Sequence, residues 1–142
     1  MGIDRNGSLC SNENPMSKPK VKPYTELAKD LMGEKSYILS KAQALSEVGM
    51  AETAQPLWAS AAAYEERIAP LLDALGRDLE AAVHRLSAAS CYQKAGDLNR
   101  AVNLYHAALA GPLSDDVRRH VEKMFTDCLG QLYPPLRTLT SR

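Results

Sequence analysis

Apolar residues recur from Tyr24 onward with a helical period. Tyr24, Leu27, Ala28, Leu31 and Met32 fall at i, i+3, i+4, i+7 and i+8, the spacing of a helix with one buried face. Gly33 is expected to break that run. A second helix over 34–48 then carries Tyr37, Ile38, Ala42, Leu45 and Val48 and stops at Gly49. From Ala51 a third presents Ala54, Leu57, Trp58, Ala61, Ile68 and Leu72, with a kink or break expected at Pro70, whose ring disfavours a helix interior. Gly76 ends it, and Asp78 is expected to cap a helix over 78–95. Another runs from Leu98 to Ala110, where Gly111 and Pro112 stop the chain. Ser114, followed by Asp115 and Asp116, opens a last helix with the stripe Val117, Val121, Met124, Phe125, Cys128, Leu129 and Leu132.

The flanks have no such pattern. Residues 1–23 are rich in Gly, Asn, Ser, Pro and Lys, with little to bury, and predict a disordered tail. Met16 opens "MSKPKVKP", itself a plausible start. Residues 134–142 are expected to fray. The chain therefore reads as one helical domain over 24–133. Its 142 residues suffice for one real core, and the abundance of Ala and Leu over aromatics favours an all-α fold.

Charge narrows the partners. Lys plus Arg and Asp plus Glu both total 17, so no global field draws the protein to nucleic acid or an anionic membrane. No apolar run reaches the length of a spanning helix and no signal peptide is apparent, so the expected location is cytoplasmic. Cys10, Cys91 and Cys128 suit neither a disulfide framework nor a zinc site.

The chain also matches itself. With Gly49 laid over Gly96, Leu45 pairs with Tyr92, Ala54 with Ala101, Leu57 with Leu104, Trp58 with Tyr105 and Ala61 with Ala108. Such matching at one offset is the mark of an internal repeat. In the later copy the glycine permits a left-handed turn, Ala89 and Ala101 let two helices approach, and Tyr92 and Tyr105 fill the space beside them. The product is an antiparallel helical hairpin.

Residues 82–112 resemble the tetratricopeptide repeat, a helical pair of about 34 residues with small and large residues at set places. Ala89, Ala101 and Ala108 stand in the small places, Tyr92 and Tyr105 in the large ones, and Gly96-Asp97 at the turn. From Lys35, the residues Ala42, Ala54, Ala61, Leu45 and Trp58 make a weaker match. The copies are offset by 47 residues, so about 13 more than the repeat needs are inserted around "RIAPLLDALGRDLE". Arg85 replaces a frequent Trp. The final helix, with bulky Phe125 at a small place, reads as a cap after about two repeats.

The resemblance implies a non-catalytic module, adaptor or scaffold, that binds a protein or peptide on the first helix of each repeat. By register that surface is Leu39 and Gln43, then Val83, Leu86, Ser90 and Gln93, with Ser36, Ser46 and Lys94 beside them. It carries too few cations for the carboxylate clamp of some members. Leu39, Val83 and Leu86 are expected to face away from their hairpins and to need a cover. That cover is a partner, the inserted segment, or a second copy in a self-associating bundle.

A reading from another class is a small metal- or haem-binding bundle. Glu80 with His84 and Asp116 with His120 are i, i+4 pairs that could seed a metal site, but each is equally a surface contact, and neither completes a ligand set. No cofactor or metal is expected. No nucleophile–base order, phosphate loop or carboxylate pair offers a catalytic residue. Arg118, Arg119 and Lys123 form a basic side of the last helix and are the remaining candidate contact for an acidic surface.

Overall fold

The computed structural model describes residues 22–134, which form five α-helices and no strand. These are α1 (Tyr24–Glu47), α2 (Ala51–Ala74), α3 (Asp78–Ala95), α4 (Leu98–Leu109) and α5 (Asp115–Leu132). Each packs on the next in sequence, so the molecule is a row of antiparallel helical hairpins. The tails expected to be disordered lie outside the described residues, apart from Lys22, Pro23 and Pro134. No described helix is long and apolar enough to cross a membrane.

Two expected breaks are absent. Gly33 does not divide α1, and Pro70 does not end α2. Glycine costs a helix about 1 kcal/mol relative to alanine. That is offset where Ala28 and Leu31 before it and Ala42 after it bury against the rest of the fold. Pro56 and Pro70 both lie on the exposed side of α2. The carbonyls that their rings leave without a donor belong to Glu52 and Glu66, also exposed, where water can serve them. Tertiary packing overrides the local signal.

The cap of α3 differs too. Its N-cap is Arg77, without a side-chain cap, while Asp78 is the first helical residue and has its charge at the favourable end of the helix dipole. Ser114 does cap α5, accepting from the Val117 amide at 3.3 Å.

The three inter-helix turns that end on a left-handed glycine, Gly49, Gly76 and Gly96, close alike. Gly49 and Gly96 both adopt left-handed conformations, at φ +86° and +88°. Met50 N donates to Leu45 O at 2.8 Å, and Asp97 N donates to Tyr92 O at 2.9 Å. Gly49 N donates to Ser46 O and Gly96 N to Gln93 O, both at 3.1 Å. These are Schellman closures, and Gly76 makes the same one, with Arg77 N donating to Leu72 O at 2.8 Å and Gly76 N to Asp73 O at 3.0 Å. The correspondence extends to side chains: Trp58 Nε1 donates to Ser46 Oγ at 3.2 Å and Tyr105 Oη donates to Gln93 Oε1 at 2.9 Å. Both bonds join equivalent positions at the 47-residue offset.

The expected small-to-large packing is present. Tyr92 and Tyr105 are buried, and Ala89 and Ala101 are fully enclosed in the same cluster as Ala42, Ala54, Trp58 and Ala61. The inserted segment prolongs α2 and leads into α3. There Ile68, Ala69 and Leu72 build a second cluster with Ala28, Leu31 and Ala81. It extends the hairpins rather than folding across them.

Candidate functional site

The outer turns of α1 and α3 form the two walls of a trough whose floor is α2. At one end a cleft of about 500 Å³ is lined by Gln43, Ser46 and Glu47 of α1, Ala51, Gln55 and Trp58 of α2, and Lys94 of α3. It continues into an inner recess of about 170 Å³, which shares Gln43, Trp58 and Lys94 and adds Lys35, Leu39, Glu65, Ser87, Ser90 and Cys91. Helical periodicity brings these together: Lys35, Leu39, Gln43 and Ser46 stand on one side of α1, and Ser87, Ser90, Cys91 and Lys94 on one side of α3.

Trp58 organises the floor. Its ring packs into the core, its Nε1–H is bonded to Ser46 and the Lys94 ammonium lies 4.5 Å from its ring centroid. That cation–π contact holds a cation at the mouth without neutralising it. Gln43, Gln55 and Ser87 add amide and hydroxyl groups to the walls, which can both donate and accept hydrogen bonds.

The recess ends on a buried charge network. Glu65, on the core side of α2, accepts from His84 of α3, with Nδ1 at 2.6 Å from Oε1, and pairs through Oε2 with Lys35 of α1 at 3.4 Å. His84 thus turns to Glu65 rather than to Glu80, which binds Arg77 instead. Asp116 pairs with Arg119, not His120. Among the described residues no three His, Cys, Asp or Glu side chains are grouped to hold a metal ion.

The structure brings some of the register-derived residues together and separates others. Leu39, Gln43 and Ser90 line the trough, as do Ser46 and Lys94. Val83, Leu86 and Gln93 do not. Val83 is 55% exposed outside it. Leu86 and Leu39 both pack against the main cluster, so neither stands clear of its hairpin as expected. Gln93 is held between Tyr105 and Gln131, accepting from the first and donating to the second at 3.0 Å. The trough has two cations, Lys35 and Lys94, where register supplied one. Lys35, Trp58 and Glu65 went unassigned; the signal for Glu65 was its place within the buried series Ala54, Trp58, Ala61, Ile68 and Leu72.

The basic side of α5 is already engaged. The Arg118 guanidinium donates to the carbonyls of Leu109 and Gly111, closing the end of α4, while Arg119 and Lys123 pair with Asp116 and Asp127. That surface carries little free positive charge.

Cys91 and Cys128 are buried thiols. Burial, aided by the negative charge of Glu65, pushes the Cys91 thiol up to about 11. A thiol this reluctant to ionise is a poor nucleophile near neutrality. It also makes stability depend on alkaline pH. The unfolded thiol ionises near about 8.5, before the folded one, so its contribution is full below that pH and is lost as the pH rises toward 11. Urea midpoints measured from pH 8 to 11 are expected to fall, and to fall less steeply in Cys91→Ala. Equal slopes would show that Cys91 is not the responsible group.

The chain matches no family model, and no curated protein or solved structure is significantly similar to it.

Proposed function

We propose that the protein is a non-catalytic interaction module of the tetratricopeptide-like kind, which receives an extended segment of another protein in the trough between α1 and α3. The observation that carries this reading is the open trough itself, set on α1 and α3, whose hairpins share an aromatic hydrogen bond at the 47-residue offset. An apolar floor with a few placed polar groups is the usual make-up of a recognition site. Gln43 and Gln55 can bond a peptide backbone.

A second reading has its own observation. Leu79 and Val83 are 65% and 55% exposed one turn apart on α3, an apolar pair that self-association would cover.

The test uses Trp58, the sole tryptophan, as a built-in reporter. A displayed peptide library is selected on the purified protein, and hits are measured by Trp58 emission. Gln43 is exposed and shared by both parts of the trough. Gln43→Arg should therefore weaken binding at least about 10-fold while moving stability by no more than about 0.5 kcal/mol, as surface changes usually do. Hits that bind the variant equally well would place the binding surface elsewhere. A concentration-dependent mass in sedimentation, abolished by Val83→Glu, would favour self-association.

A further inference from the structure

Glu65 is the one buried charged side chain among the described residues, 1% exposed. A carboxylate taken from water needs a counter-charge. It has two candidates. His84 makes the shorter contact, 2.6 Å to Oε1, and Lys35 the longer, 3.4 Å to Oε2. Both side chains keep a little exposure, 16% for Lys35 and 17% for His84, so each can exchange with solvent. Lys35 also borders the open inner recess, which gives its ammonium somewhere to go.

We propose that Lys35 and His84 alternate as the counter-ion of Glu65, so that proton uptake by His84 releases the Lys35 ammonium into the recess. A neutral His84 donates its Nδ1–H to Glu65 while Lys35 supplies the charge. Once protonated, the imidazolium supplies charge through the shorter contact. The two cations then repel across a poorly solvated site, and the one on the longer, flexible stem moves.

The surrounding groups leave this exchange to the three residues. From α3, Cys91 stays a neutral thiol and Lys94 sits over Trp58, while Glu80 is bound to Arg77. On α2, Glu66 accepts from the Tyr92 hydroxyl and Arg67 lies over the Tyr64 ring. Glu34 of α1 accepts from Tyr64. A released Lys35 joins Lys94, so the recess gains positive character on acidification. If the trough is a binding site, acidic segments are then favoured at low pH; that consequence rests on the proposed function, whereas the exchange itself does not.

The experiment needs no ligand. Two-dimensional NMR follows the His84 ring and the Lys35 Cε–Hε signals between pH 5 and 8 in the wild-type protein, in Lys35→Met and in His84→Gln. In the wild type, Lys35 should shift with the same midpoint as His84, and in His84→Gln it should stay still. Removing the competing cation should move the His84 midpoint upward in Lys35→Met. A Lys35 signal silent through the His84 titration overturns the exchange, and the wild-type spectra alone decide this should a variant fail to fold. An unchanged His84 midpoint in a folded Lys35→Met protein overturns it equally.

Discussion

Replacing Tyr105 by alanine is expected to destabilise the protein by about 3–5 kcal/mol, a large share of the roughly 5–15 kcal/mol that holds a domain of this size. Tyr105 is fully buried and is the largest side chain so enclosed. It packs in the main cluster, and its hydroxyl bonds Gln93 of α3, whose amide bonds Gln131 of α5. Its loss therefore opens a cavity and loosens the link between three helices. Thermal melts should show a fall of more than about 10 °C, and the helical signal at 37 °C should drop. Tyr105→Phe keeps the ring and should cost only about 1 kcal/mol for the hydrogen bond. Comparable losses in the two variants would mean that the hydroxyl chain, rather than ring packing, holds α4 in place.

Tyr105 also illustrates what was legible in the sequence. The later hairpin was readable almost to the residue, because its signals agree: Gly96 closes α3, the Asp97 carboxylate accepts from the Arg100 amide at 3.3 Å to cap α4, and alanines alternate with tyrosines at helical spacing. Where local signals were isolated they misled. Gly33 and Pro70 are helix breakers by propensity, yet each lies on an exposed face whose opposite side is packed, and packing decides.

The trough divides along the same line. Leu39, Gln43 and Ser90 were assignable because a helical register fixes which residues share a face. Gln93 and Leu86 share nearly the same register, and only contacts from α4, α5 and the main cluster show them to be engaged. The Lys35–Glu65–His84 network joins residues 30 and 19 positions apart on three helices, so no local spacing announces it. A glutamate in the middle of an alanine-rich buried stripe was the available hint. A charge there demands partners from neighbouring elements.

The repeat makes the last prediction, because what holds at one copy should hold at its equivalent. Ala101 in α4 and Ala54 in α2 are both fully enclosed, and both occupy the same place relative to their glycine turns, which are closed by the same hydrogen bonds. Each lets its helix approach the preceding one closely, with Tyr92 and Tyr105, or Leu45 and Trp58, filling the space beside it. Leucine brings three extra carbons into a site without room for them. Ala101→Leu should therefore cost about 1–3 kcal/mol through off-rotamer side chains and a shifted helix, and Ala54→Leu should cost a similar amount. Chemical denaturation of the two variants measures both, with unchanged m-values if the compact state survives. The two-copy reading requires losses of the same sign at both positions. A neutral or stabilising Ala54→Leu beside a costly Ala101→Leu would show that the first hairpin is more loosely packed than the second, and that the equivalence stops at the turns.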